Sequence, residues 1–198
     1  MQAAARVEVA PVTRGYPTAW WGMMTLITTE GMVFLALVSS YFFLRAAAPQ
    51  WPPDDIPPPE LIRSGIFSVI LLSSSIPIFI MESALRRDRL GTVKVTLLLA
   101  FLMGSAFLAN TGWDFAHLEP PWRENAYSSL FHIIVGLHAL HVLAGLVMSL
   151  VVQAKVWTKR VSSRNHVTPD VFALYWHFVD GVWIIVFTSL FLTAHLGP

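Results

Sequence analysis

Long apolar runs alternate with short polar stretches along this chain, and the lengths of the runs set the first reading. The run Trp20–Leu44, WWGMMTLITTEGMVFLALVSSYFFL, is twenty-five residues long and holds a single carboxylate, Glu30. At ~1.5 Å per residue, about 20 residues cross a hydrocarbon core of ~30 Å, so the run predicts a transmembrane helix. Four further runs, at about 62–81, 93–116, 128–152 and 171–194, predict four more. The expected architecture is an all-α integral membrane bundle of five spans forming one membrane domain, 1–198.

Two stretches qualify that picture. The second run contains Ser73, Ser74, Ser75 and Pro77. The missing amide and ring clash of the proline predict a kink, with the serine hydroxyls available to the freed carbonyls. Between the first two runs, Ala46–Glu60 holds six of the thirteen prolines, which predicts a stiff loop outside the membrane. A loop with Pro120 and Pro121 separates the third run from the fourth. The tail Met1–Ala19 has no short apolar run ending in a small-residue cleavage site, so the first span is expected to be its own insertion signal.

Composition agrees with the pattern: 55% of the 198 residues are hydrophobic and 13% charged. The absence of cysteine excludes disulfides, thiolate metal sites and a cysteine nucleophile. No nucleic-acid partner is expected. The net charge of +1 matters less than where the cations sit. Ten of the thirteen lysines and arginines, among them Arg86, Arg87, Arg89, Lys155 and Lys159, fall on the N-terminal side of a five-span arrangement. Only Arg45, Arg63 and Arg123 fall on the other. The positive-inside rule therefore places the N-terminus in the cytoplasm and the C-terminus outside.

Candidate chemistry lies at mid-depth. Glu30 is ten residues into the first span, or ~15 Å by the helical rise, where a charged side chain costs roughly 3 kcal/mol and should face protein or trapped water. His138 and His141 in the fourth span, and His177 and Asp180 in the fifth, fall at similar depth. Each pair is spaced i, i+3 and shares a helix face. Gly145 continues the His141 face and Gly136 lies nearby, so a neighbouring backbone could approach closely. The simplest arrangement is one buried cluster, with Glu30 on a histidine of the fourth span and His177 and Asp180 bonding across helices.

Three readings compete for such a cluster. The first is structural, polar side chains joining helices at ~1 kcal/mol or less each. The second is a metal or haem site. Against it, His138 and His141 lie on one helix where a haem needs opposed ligands, and no E-x-x-H carboxylate element for a di-iron site is present. The third is proton-linked or transport chemistry, which intramembrane carboxylates often mark. The paired, broken spans of an inverted-repeat transporter are missing, which favours an accessory role over a lone carrier.

The residues also carry a resemblance. TEGMVFLALVSSYFFLRA followed by WPP, then AYSSLFHIIVGLHALHVLAG, then LYWHFVDGVWIIVF resemble, in order, subunit III of the haem-copper cytochrome oxidases, in the short five-helix form. The positions matching the family's motifs include Glu30, Phe34, Tyr41, Trp51, Pro52 and Pro53, then Tyr127, Phe131, His138 and His141, then Tyr175, Trp176, His177, Asp180 and Trp183. Asp114 stands where the family usually has a glutamate, and Phe115 replaces the tyrosine after it.

The resemblance implies a non-catalytic core subunit of a proton-pumping terminal oxidase in aerobic respiration, located in a bacterial inner membrane. It implies no cofactor or metal on this chain, haem and copper in partner subunits, and structural phospholipid. Subunit I would be the main contact, with subunit II, membrane phospholipids and a larger respiratory supercomplex as further partners. Glu30, His138, His141, His177 and Asp180 would be the buried polar, proton-related group; Trp51, Pro52, Pro53, Asp114, Tyr127, Trp176 and Trp183 would be structural. Complexes oxidising cytochrome c and quinol both fit. The alternatives are a stand-alone proton or ion transporter and the related accessory subunit of nitric oxide reductases.

Overall fold

The computed structural model describes residues 16–53, 59–117, 125–163 and 165–195. The start of the N-terminal tail, part of the proline-rich loop, the loop with Pro120, Pro121 and Arg123, and Arg164 lie outside the described residues. Five helical spans are present: Thr18–Ala47, Leu61–Arg86, Leu90–His117, Ala126–Trp157 and Val167–His195. They comprise α1 (Thr18–Ala47), α2 (Leu61–Ser73), α3 (Ser75–Arg86), α4 (Leu90–His117), α5 (Ala126–Trp157), α6 (Val167–Phe187), a π-helical turn (Thr188–Leu192) and the short α7 (Thr193–His195).

Each span runs past its apolar core, because helix ends in the headgroup region tolerate polar residues. α3 continues through Glu82 to Arg86, in a segment the sequence pattern assigns to a loop. α6 begins at Val167 rather than near 171. Pro169 falls in its first turn, where no amide hydrogen bond is lost. α5 opens on Asn125, whose side chain accepts from the Ser128 amide at 2.8 Å, an N-cap.

The second span breaks at Ser74, three residues before Pro77. The proline ring conflicts with the carbonyl four residues earlier, that of Ser73, so the helix ends there and restarts with Pro77 in its first turn. The hydroxyls do not serve the freed carbonyls as expected. Ser74 Oγ accepts from Trp176 Nε1 at 2.7 Å, and Ser75 Oγ donates to Asp180 Oδ2 at 2.5 Å.

α6 is the hub, packing against α1, α2, α3 and α5. Its buried side chains Phe172, Trp176, Val179, Trp183 and Val186 recur every three to four residues, the spacing of one helix face. Trp176 is wedged between α4 and α5. A Cβ built on Gly104 would stand 2.7 Å from the indole, and one on Gly145 2.8 Å. These glycines admit a rigid ring, so at Gly145 the close approach is made by a side chain and not by a backbone. Among the described elements α1 packs chiefly on α5 and α6, which leaves it at the edge.

The described part of the proline-rich loop folds back on the helix ends. Trp51 is buried edge-on to Tyr41 of α1 (5.5 Å between ring centroids) and Tyr127 of α5 (5.2 Å), with Pro52 and Pro53 half-buried beside it. At the other end of the bundle, Asp88 accepts from the amide (2.7 Å) and hydroxyl (2.6 Å) of Ser163, tying the α3–α4 turn to the α5–α6 loop.

Candidate functional site

The mid-depth polar residues form separate sites rather than one buried cluster. Glu30 of α1 meets His141 of α5, Oε2 to Nε2 at 3.2 Å. His141 Nδ1 lies 2.8 Å from the Leu137 carbonyl, which can only accept, so this nitrogen carries a proton. On the Nε2 side, either the carboxylic acid donates to the bare nitrogen, or a doubly protonated ring donates to the carboxylate. One proton is shared in both cases. Phe34, one turn beyond Glu30, stands edge-on to the His141 ring at 5.2 Å, and Tyr175 of α6 donates to the His141 carbonyl at 3.1 Å. Gly31 faces Phe178 of α6.

The pair is not buried within the chain. The Glu30 side chain is 36% exposed and that of His141 12%, because α1 is an edge helix. His177 is half-buried as well; of the five residues, only His138 and Asp180 are buried.

His138 takes no part in the Glu30 contact, although it shares a face with His141. It is fully enclosed, its ring stacked on Trp183 (4.6 Å, 29°) and edge-on to Phe107 (5.9 Å). Neither of its nitrogens has a hydrogen-bond partner among the described residues.

The second polar site joins α3 to α6. Ser75 Oγ bonds both Asp180 Oδ2 (2.5 Å) and His177 Nδ1 (3.0 Å), and Phe79 stacks on the His177 ring at 4.3 Å. Donation of the serine proton to the carboxylate leaves the serine oxygen to accept from His177. Asp180 Oδ1 and His177 Nε2 have no partner among the described residues. Among the described residues no hydrogen bond links this site to Glu30, and no group of three or more histidine, cysteine or acidic side chains with metal-binding proximity occurs.

A third polar group lies at the end of the bundle opposite the α3–α4 turn. Arg63 Nε donates to Asn110 Oδ1 at 2.8 Å, Asn110 Nδ2 to Asp114 Oδ2 at 3.0 Å, and the Arg63 guanidinium reaches Asp114 Oδ1 at 3.3 Å. These side chains rim a cleft of about 300 Å³ whose depth is lined by Phe107, Phe131, Trp183 and Phe191. Asp114 was expected here as a structural family position. Its pairing with Arg63 was not foreseen, though opposite charges at matching depth on the second and third spans were the available signal. Ser74 and Ser75 were missed as interhelical groups because adjacent Pro77 invited a backbone role.

The chain can now be set beside known proteins. A family profile described as cytochrome c oxidase subunit III matches residues 8–195. A cytochrome c oxidase subunit 3 from Synechocystis sp. is 34% identical over 176 residues, covering 87% of this chain and 74% of that one. A second, from Thermostichus vulcanus, is 30% identical over 175 residues, covering 86% and 85%. The cytochrome bo(3) ubiquinol oxidase subunit 3 of Pseudomonas aeruginosa is 32% identical over 183 residues, covering 89% and 85%. Since the match runs through all five spans and extends to relatives of both oxidase names, the chain belongs to the cytochrome c oxidase subunit III family, as a multi-pass subunit III of a haem-copper oxidase in a bacterial inner membrane.

Proposed function

We propose that this subunit is a non-catalytic member of its oxidase complex, packing through α1 on subunit I, with subunit II and a larger respiratory supercomplex as further partners. The observation that carries the proposal is the partly exposed Glu30 of the edge helix, paired with His141. A carboxylate left against lipid at mid-depth is costly, whereas one covered by another subunit is not. Around it α1 also exposes large apolar side chains, including Leu26, Met32, Val33 and Leu35. Such a face suits a helical neighbour as well as lipid.

Haem and copper are held by the partner subunits in this reading, and this chain contributes a proton store beside them. The proton on the Glu30–His141 edge can pass between the two side chains without leaving either polar atom unpaired. That supports proton uptake during sustained turnover without placing Glu30 on an obligatory path. Structural phospholipid fills the cleft rimmed by Arg63, Asn110 and Asp114, whose polar rim and aromatic depth suit a headgroup and an acyl chain. The N-terminus is cytoplasmic, by the cation distribution.

The test is purification of the tagged chain from native membranes in mild detergent. A haem-bearing partner with a Soret band should accompany it, and a crosslinker placed on the exposed face of α1 should join the two. Recovery of the chain alone from active membranes would reject the subunit reading in favour of a stand-alone transporter. For orientation, a cysteine at Ser83 should be shielded from an impermeant thiol reagent in intact cells and one at Gln50 should react; equal labelling would overturn the proposed sidedness.

A further inference from the structure

We propose that the groove at the α3–α4 turn binds the phosphate of a phospholipid whose headgroup carries net negative charge. The site is separate from the cleft at the other end of the bundle, and it does not depend on docking to subunit I. The groove, about 300 Å³, has Arg87 and Arg89 at its mouth with Ser83 and Thr92, and Phe79 and Ile80 along its length.

The main chain of the turn that carries the two arginines is held by its own hydrogen bonds. The amides of Arg87 and Arg89 both donate to the Ala84 carbonyl, at 3.1 and 2.9 Å, and the Asp88 amide donates to Leu85 at 3.0 Å. Asp88, between them, has φ 51°, in the left-handed region, and its carboxylate is engaged by Ser163 across the loop. The nearest acid in sequence is thus turned to the α5–α6 loop. Arg86 lies close to Glu82, whereas no ion pair among the described residues involves Arg87 or Arg89. Two guanidinium groups on one groove, with no ion pair among the described residues, match a phosphodiester.

The groove also supplies the apolar half of a lipid site. Phe79 and Ile80 lie about two helical turns towards the membrane centre from Arg87, some 10 Å by the helical rise. The two residues are 60% and 46% exposed, open to an acyl chain. Net charge selects the headgroup, since a choline or ethanolamine ammonium would face two arginines. A phosphatidylglycerol-type lipid carries no such cation.

The experiment uses the purified oxidase complex in phosphatidylcholine nanodiscs containing a trace of phosphatidylglycerol with a diazirine in its acyl chain. After illumination, adducts are mapped by mass spectrometry. Labelling should concentrate on residues 79–92 of this subunit, and should be competed by unlabelled phosphatidylglycerol but not by equal phosphatidylcholine or by inorganic phosphate. Arg87→Gln/Arg89→Gln should weaken that competition about 30-fold. The haem content per subunit checks that the variant complex is assembled; if it does not assemble, competition on the unaltered complex decides. Labelling spread evenly over the spans, equal competition by phosphatidylcholine, or unchanged competition in the assembled variant would overturn the proposal. Competition by inorganic phosphate alone would show a free-anion site and overturn it as a lipid site.

Discussion

The first and fifth spans each carry a carboxylate near mid-depth, and the two are handled in opposite ways. Half of the most apolar window of the fifth span is buried inside the chain, against 17% for the first. Asp180 is accordingly covered by its own chain and bonded to Ser75, while Glu30 has one partner and an open side. The same functional group is an internal tie on the hub helix and a partly exposed partner of His141 on the edge helix. Helix position in the bundle, rather than residue type, separates the roles.

Substitutions on the hub helix, on the edge helix and at the cleft rim sharpen this contrast, beginning with the largest expected effect. Trp176→Ala on the hub removes the ring wedged between Gly104 and Gly145 and orphans Ser74, and should cost roughly 3 kcal/mol or more. Gly145→Ala, which would bring a methyl to 2.8 Å from that ring, should cost about 1–3 kcal/mol. Thermal unfolding of the complex in detergent, followed with subunit retention, measures both. A Trp176→Ala complex as stable as the parent would remove α6 from its place as hub.

Next, Asp180→Leu should destabilise by about 1 kcal/mol, because the Ser75 hydroxyl that also bonds His177 loses its acceptor, while Asp180→Asn should be nearly neutral. Equal losses in the two variants would show that charge and not hydrogen bonding holds α3 to α6.

On the edge helix the order of effects reverses between stability and turnover. Glu30→Gln keeps size and most hydrogen bonding, so assembly should be intact, initial oxygen consumption should fall only modestly, and the decline over many turnovers should steepen. Glu30→Ala should lower subunit retention further, since it leaves the His141 Nε2 without a partner. Complete loss of initial turnover in an assembled Glu30→Gln complex would make the residue essential and end the accessory reading.

The smallest effect is expected at Arg63 and Asp114. Their side chains are 39% and 26% exposed, and a double-mutant cycle of Arg63→Gln with Asp114→Asn should return a coupling of about 1 kcal/mol or less. A much larger coupling would mean that the cleft rim bears on packing as heavily as the hub.

Much of the fold was legible before the structure. The five spans follow from run length, since a bilayer of constant thickness imposes a minimum number of apolar residues, and all five helices cover their predicted ranges. Their ends were less legible: Pro169 and the ESALR segment read as loop but lie in helix, because the first turn needs no amide and the headgroup region solvates polar side chains. The depth of Glu30, His141, His177 and Asp180 was equally readable from spacing. Which of them meet was not. Helical spacing places His138 and His141 on one face, yet only His141 reaches Glu30, while the other ring stacks on Trp183.

Sequence alone determined the class of the protein, the number of its spans and the depth of its polar residues, because apolar length and helical rise are local quantities. The tertiary structure decided that α6 lies at the centre and α1 at the edge, that Ser74 and Ser75 bind α6, and that Arg87 and Arg89 share a groove while Asp88 turns away. Those outcomes depend on the rotation and order of helices around one another, which are set by the summed packing of many side chains and are written in no single stretch of the chain.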